Sequence, residues 1–228
     1  MTRIQRELKS WILIVGCFFI PLVASATDVD LQQWTSLIVQ KKISEGIRGY
    51  IELQPRLGGD FSNLDRVIFR PALLFPTDGL MTWGVGYAAV PAFQPVTTWE
   101  HRAWQQGQWD LKLNGVALTN RTRFEQRFLH GADEVGLRIR HQIRAMVPLV
   151  VDSPWSLALV DEIFFNLNAP SSSLAAGFDQ NRAFIGVSWQ NSETWRIETG
   201  YLLNSVNHPE NQEDQLKHVW ALNFFWNP

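Results

Sequence analysis

Between residues 119 and 144 the sequence alternates with a period of two and splits into chemically opposite sets. One parity carries Arg121, Arg123, Glu125 and Arg127, then Arg138, Arg140, Gln142 and Arg144. The other carries Phe124 and Phe128, then Leu137, Ile139 and Ile143. Alternation of this kind places the two sets on opposite faces of a strand pair. A soluble sheet buries its apolar face and leaves long polar side chains in water. A membrane barrel turns its apolar face to lipid and its Arg and Glu side chains to the lumen. The second solution fits the whole chain, because the pattern recurs along it.

Residues 46–57 set Arg48, Tyr50, Glu52, Gln54 and Arg56 against Ile47, Ile51, Leu53, Pro55 and Leu57. Residues 65–75 set Arg66 and Arg70 against Val67, Phe69, Leu73 and Phe75. Residues 80–90 place Thr82, Gly84 and Gly86 opposite Met81, Trp83, Val85 and Tyr87, and residues 96–106 carry Glu100 and Arg102. Later segments at 155–166, 180–189 and 195–204 bring Glu162, Asn166, Arg182, Arg196 and Glu198 to the polar side. Asp161 and His141 fall on the apolar parity, which implies a strand end or a slipped register there. Turn chemistry separates the segments, as at Pro76-Thr77-Asp78-Gly79 and Asp152-Ser153-Pro154.

The fold expected is therefore an all-β, antiparallel up-and-down transmembrane barrel. Eleven segments are plain, and a bacterial barrel with both termini on one side needs an even number. Residues 108–115 supply a twelfth, short strand, because Trp109, Leu111 and Leu113 alternate with Asp110, Lys112 and Asn114 before an Asn-Gly turn. Ten strands result instead if residues 34–43 stand outside the wall.

Residues 1–26 read as a signal peptide: Arg3, Arg6 and Lys9, an apolar run from 11 to 23, and Ala24-Ser25-Ala26 before the cut. A lipoprotein signal at Cys17 fits less well, because the apolar run continues past it. Residues 27–228 then form the barrel domain. Removing three basic and one acidic residue from totals of 20 and 22 leaves 17 and 21, a net charge of −4. That balance argues against a nucleic-acid partner. Cys17 is the single cysteine, so the barrel domain has no thiol chemistry. After residue 26 no run of about 20 apolar residues remains, which leaves strands as the route through a bilayer. The implied location is the bacterial outer membrane, with its lipids and the barrel-insertion machinery as partners.

Residues 217–226 read as a closing strand with Trp220, Leu222, Phe224 and Trp226 on one parity, followed by Asn227-Pro228. Trp155, Trp189 and Trp195 flank turns, as an interfacial girdle requires. The competing reading is ordinary core tryptophan in a soluble sandwich.

Six motifs stand in order along the chain: Gly86-Tyr87, the run from Glu100 to Gln106, the run from Arg121 to Phe128, Arg138-Ile139-Arg140, the run from Glu162 to Asn166, and Gln180-Asn181-Arg182. Their order resembles the bacterial domain of unknown function 2490 family. The resemblance implies an outer-membrane barrel and carries no activity with it.

All 13 arginines after residue 26 fall on the polar parities: Arg48, Arg56, Arg66, Arg70, Arg102, Arg121, Arg123, Arg127, Arg138, Arg140, Arg144, Arg182 and Arg196. Five glutamates join them, Glu52, Glu100, Glu125, Glu162 and Glu198, which leaves about eight guanidiniums without a carboxylate. Two readings follow. Either Arg–Glu networks fill the interior, since buried charges need partners, or the lumen is a positively lined passage for small anions or acidic sugars. A lipid-modifying enzyme is the third and weakest reading. A Ser–His–acid site needs a lumenal histidine, and His101, His141 and His218 fall on the lipid-facing parity while His130 and His208 fall in turns. No cofactor is implied. A metal at His208, Glu210, Glu213 and Asp214 is a weaker reading than a solvated acidic loop.

Overall fold

The computed structural model describes residues 28–77, 79–171, 174–190, 192–208 and 214–228. The signal segment and Glu210 and Glu213 lie outside them. Eleven strands form one closed barrel: β1 (Asp28–Ser44), β2 (Ile47–Gly58), β3 (Asn63–Pro76), β4 (Met81–Ala92), β5 (Thr98–Leu113), β6 (Val116–Leu129), β7 (Gly136–Pro148), β8 (Trp155–Asn166), β9 (Gly177–Trp189), β10 (Trp195–Val206) and β11 (Gln215–Trp226). Each strand pairs antiparallel with its sequence neighbour, and β11 returns to β1. Every turn reverses the chain, so the first and last of eleven strands point the same way and close in parallel. Asp28 accordingly stands opposite Gln215, and Val39 opposite Trp226.

The count is eleven rather than twelve because 108–113 continues the strand before it. Gln106, Gly107 and Gln108 stay paired to Gly84, Trp83 and Thr82 on one side and to Arg123, Thr122 and Arg121 on the other. No turn interrupts them. The Asn114-Gly115 hairpin forms as expected, with φ of 51° and 84°. Residues 34–43 belong to the wall as part of β1, the strand that closes the barrel.

Parallel closure puts the two ends of the barrel chain on opposite rims. The rim where β11 ends carries the connections 45–46, 77–80, 114–115, 149–154 and 190–194. The rim where β1 begins carries 59–62, 93–97 and 130–135 with the two longest, 167–176 and 207–214.

The wall follows the parity of the sequence. Ile51, Leu53, Phe69, Leu73, Val85, Ile185 and Val187 point outward and are about 40 % exposed or more. Six tryptophans ring the short-turn rim on the outside: Trp83, Trp109, Trp155, Trp189, Trp195 and Trp226. Trp195 and Trp226 stack at 5.6 Å between centroids, and Trp155 meets Trp189 at 6.4 Å.

Asp161 and His141 are neither strand ends nor register slips. Asp161 sits mid-strand on β8, opposite Ile143, and its carboxylate accepts from Asn181 Nδ2 at 3.2 and 3.3 Å. His141 Nδ1 lies 3.0 Å from the Thr122 hydroxyl, and Gln105 and Gln126 exchange amide hydrogen bonds at 3.3 and 3.1 Å. Polar residues on the outer wall thus satisfy one another across adjacent strands.

Candidate functional site

Inside the wall the charged side chains cross-link strands distant in sequence. Glu125 of β6 is 1 % exposed and accepts from two guanidiniums of β7: Arg138 Nη2 at 2.6 Å and Arg140 Nη1 at 2.8 Å. Arg138 Nη1 also donates to Asp179 at 3.1 Å, and Arg140 Nη2 to Glu162 at 2.8 Å. Arg121 adds a 2.8 Å bond to Glu162. The result is a continuous chain, Asp179–Arg138–Glu125–Arg140–Glu162–Arg121, over β6 to β9. Around it stand shorter groups. Glu100 accepts from Arg102 at 2.7 Å and Arg127 at 2.5 Å. Glu52 accepts from Arg70 and Tyr50, and Glu198 from Arg144.

Eight arginines hydrogen-bond a carboxylate: 66, 70, 102, 121, 127, 138, 140 and 144. The unpaired remainder is smaller than expected from the glutamates alone. Glu100, Glu125 and Glu162 each serve two arginines, and Asp65 and Asp179 join as acceptors. Arg48, Arg56, Arg123, Arg182 and Arg196 have no hydrogen-bonded carboxylate among the described residues. Four of these five lie on aromatic faces. Arg56 sits 3.6 Å from the Trp34 ring centroid, Arg123 4.0 Å from Trp104, Arg182 4.6 Å from Phe164 and Arg196 3.8 Å from Phe225. A ring face attracts a cation through its quadrupole, and more strongly away from water. Arg56 and Arg123 also donate to neutral amides, Gln54 and Gln106.

These aromatic partners escaped the reading from sequence, although a signal was there. Trp104 shares the parity of Arg102, and Phe164 that of Glu162. A large ring on the polar face of a barrel strand marks a filled lumen. Trp104 fits because Gly86 lies beneath it: a Cβ at residue 86 would sit 2.6 Å from Trp104 Cε2 and 2.7 Å from Ala72 Cβ. Next to it Ile68, Ala88 and Val90 form a small apolar cluster.

Two cavities lie inside the wall among the described residues. The smaller, about 200 Å³, lies toward the long-loop rim and is lined by Arg66, Arg102, Arg127, Arg138, Asp179 and Lys217 among others. The larger, about 810 Å³, opens at the short-turn rim and is lined by Arg48, Glu52, Arg121, Arg123, Arg144, Glu162, Arg196 and Glu198. Trp34, Arg56, Arg70, Arg140 and Arg182 line both and stand where the two adjoin. All 13 arginines border one chamber or the other, whereas Glu100 and Glu125 border neither and serve as internal struts. Trp34 is the aromatic residue among the five that line both. It is 4 % exposed, and its Nε1 donates to Gln32 at 2.8 Å while Arg56 and Arg182 approach its ring.

Of the histidines, 101, 141 and 218 point outward against Tyr87, Thr122 and Tyr201. His208 borders the smaller cavity, its backbone N–H donating to Asp214 at 3.0 Å. No cluster of metal-ligating residues is present among the described residues.

A closed barrel, apolar outside, with an arginine-rich lumen whose two cavities share five lining residues, is the class of protein these features define. The chain belongs to the family described as protein of unknown function (DUF2490), whose family model matches residues 31–215. An uncharacterised protein of Methylorubrum extorquens is 33 % identical over 209 residues, spanning 89 % of this chain and 90 % of the relative. No solved structure matches.

Proposed function

We propose that this protein is an outer-membrane β-barrel of a binding or structural kind, in which a charged partition closes the lumen to free diffusion. The observation that carries this reading is the five residues shared by the two chambers. Opening the barrel would require moving buried guanidiniums off carboxylates and rings they already occupy, and breaking such pairs inside a low-dielectric interior is costly. The membrane setting is supported by the apolar outer wall and by the six tryptophans at one rim, since indoles gather at the membrane–water boundary. Short turns face the periplasm in barrels of this kind. The larger chamber would then open there, with β11 ending on the same side.

The anion-selective passage keeps one supporting observation, the five arginines without a bonded carboxylate. The two readings part in a planar bilayer. The refolded chain should give a heat-modifiable band on a gel and no conductance steps. Steady anion-selective steps would overturn the closed lumen in favour of a passage. Fractionation of bacterial cells producing the full chain should recover it with the outer membrane, and recovery in the soluble fraction would overturn the membrane reading.

A further inference from the structure

The walls of the larger chamber differ in chemistry. On β8 to β11 and β1 they include Val160, Phe184, Leu202 and Ala221 deeper in the lumen and Phe225 and Ile38 nearer the rim, with the paired Glu198 and Asn223 between the two groups. Ala158, Phe184 and Ala221 make a buried cluster there, with Met146, Val160 and Leu202 packed against it. A cup built only for a small inorganic anion has no use for such a wall. At about 810 Å³ the chamber also falls in the size range of pockets that enclose whole organic ligands.

Cations border the apolar strip at the rim. Phe225 stands opposite Arg196 on β10 and Ile38 on β1, and Lys42 stands opposite Arg48. Lys42 and Arg48 are exposed and have no ion pair among the described residues. Arg196 lies over Phe225, and its Nε has no hydrogen-bond partner. The acids lining the chamber toward this rim are Glu193, Glu198 and Asp110, and the exposed Glu45 and Asp152 lie in the connections of the same rim. Glu198 is engaged by Arg144, and Asp110 accepts from Gln108 and Thr119 on the far wall.

We propose that the larger chamber binds a single-chain anionic amphiphile, a fatty carboxylate or alkyl phosphate. Its chain lies along Phe225, Ala221, Leu202 and Phe184, and its head sits at the rim between Arg196 and Arg48. The assignment rests on the lumen being two chambers. Failure of that reading appears as conductance, whereas failure of this one appears in the titration below.

The test is isothermal titration of the full chain in lipid nanodiscs, with empty nanodiscs subtracted. Octyl phosphate should saturate one site per barrel, with inorganic phosphate and octyl glucoside each at least tenfold weaker. Lengthening the chain from hexyl to octyl should tighten binding by up to about fourfold per methylene. Arg48→Gln, at an exposed position where folding is insensitive, and Arg196→Gln should each weaken octyl phosphate severalfold and leave octyl glucoside unchanged. Ala221→Phe should weaken it by occupying the apolar end. Equal binding of inorganic phosphate would reduce the chamber to an anion site. Equal binding of octyl glucoside would remove the role of the cations, and the absence of saturable binding would overturn the assignment altogether.

Discussion

Replacing Glu125 with alanine is expected to cost the folded barrel about 3–5 kcal/mol, the range for removing one partner from a buried charge network. The carboxylate accepts three short hydrogen bonds, 2.6 and 2.9 Å from Arg138 and 2.8 Å from Arg140. Arg123 Nη1 stands 4.0 Å away and makes no hydrogen bond of its own. Without Glu125, Arg138 keeps Asp179 and Arg140 keeps Glu162, but Arg123 is left with only an amide and a ring. Three buried cations would then converge with the carboxylate between them gone. Their repulsion is the main penalty, so Glu125→Gln, which keeps the shape and removes the charge, should lose most of the same stability. Asp65→Asn is the control. It removes the partner of Arg66, whose side chain is 33 % exposed, and solvent-screened pairs of that kind contribute at most about 1 kcal/mol. Urea titration of the refolded barrel, followed by the gel shift between folded and unfolded bands, measures all three. Equal midpoints for the Glu125 variants and Asp65→Asn would mean that the network does not hold the lumen together.

The alternation from Arg121 to Arg127 and from Arg138 to Arg144 made the lumen legible, because a period of two leaves each side chain a single choice of face. The same logic places Arg48, Arg182 and Arg196 inside before any coordinate is known. It fails wherever the information lies between strands. The strand count turns on whether Gly107 ends a strand, and its own neighbours leave that open. Pairing to both Trp83 and Thr122 decides it. The parallel contact of β1 with β11 then follows from the odd count, since no local signal in either strand marks it. Asp161 looked misplaced for a similar reason: its partner, Asn181, lies on the next strand and twenty residues away. Pattern alone cannot see a hydrogen bond that two outward residues make with each other.

The candidate site was half legible in the same sense. Counting arginines against glutamates indicated a shortage of carboxylates and suggested free positive charge. In the structure, sharing reduces the shortage: Glu125, Glu162 and Glu100 each serve two arginines, and Asp179, at the loop end of β9, reaches over β8 to Arg138. Rings take up most of what is left. Phe164, 1 % exposed, lies within 5.2 Å of the guanidiniums of Arg138, Arg140 and Arg182. A count of charges treats that phenylalanine as a neutral residue, whereas its face offers a partner to three cations. The position of Trp34 between the cavities and the grouping of Phe184, Leu202 and Ala221 on one side of the larger chamber both depend on which strands curve to face one another. Closure of the barrel supplies that relation.

Closure also sets the second large effect. Gly200→Ala should destabilise the barrel by about 3 kcal/mol, the upper end of the usual overpacking range. Gly200 on β10 pairs with Gly186 on β9, and a Cβ added to it would overlap Ile185 O and the Gly186 Cα, with the Ile185 carbonyl carbon 2.9 Å away. All three are backbone atoms. No side chain can rotate aside, so the two strands must separate at a point where Tyr201 pairs with Ile185 and Thr199 with Val187. The disturbance reaches the larger chamber directly, because the Phe184 ring lies down over Gly186. Gly79→Ala supplies the contrast. Its added Cβ would meet nothing within 4 Å, in an exposed connection at the short-turn rim, and should change stability by no more than about 0.5 kcal/mol. The two variants carry the same chemical change, so a urea midpoint lowered only for Gly200→Ala isolates the close approach of β9 and β10. Matching midpoints would show that these strands yield at the glycine pair, and the packing of Phe184 against the chamber wall would then owe nothing to it.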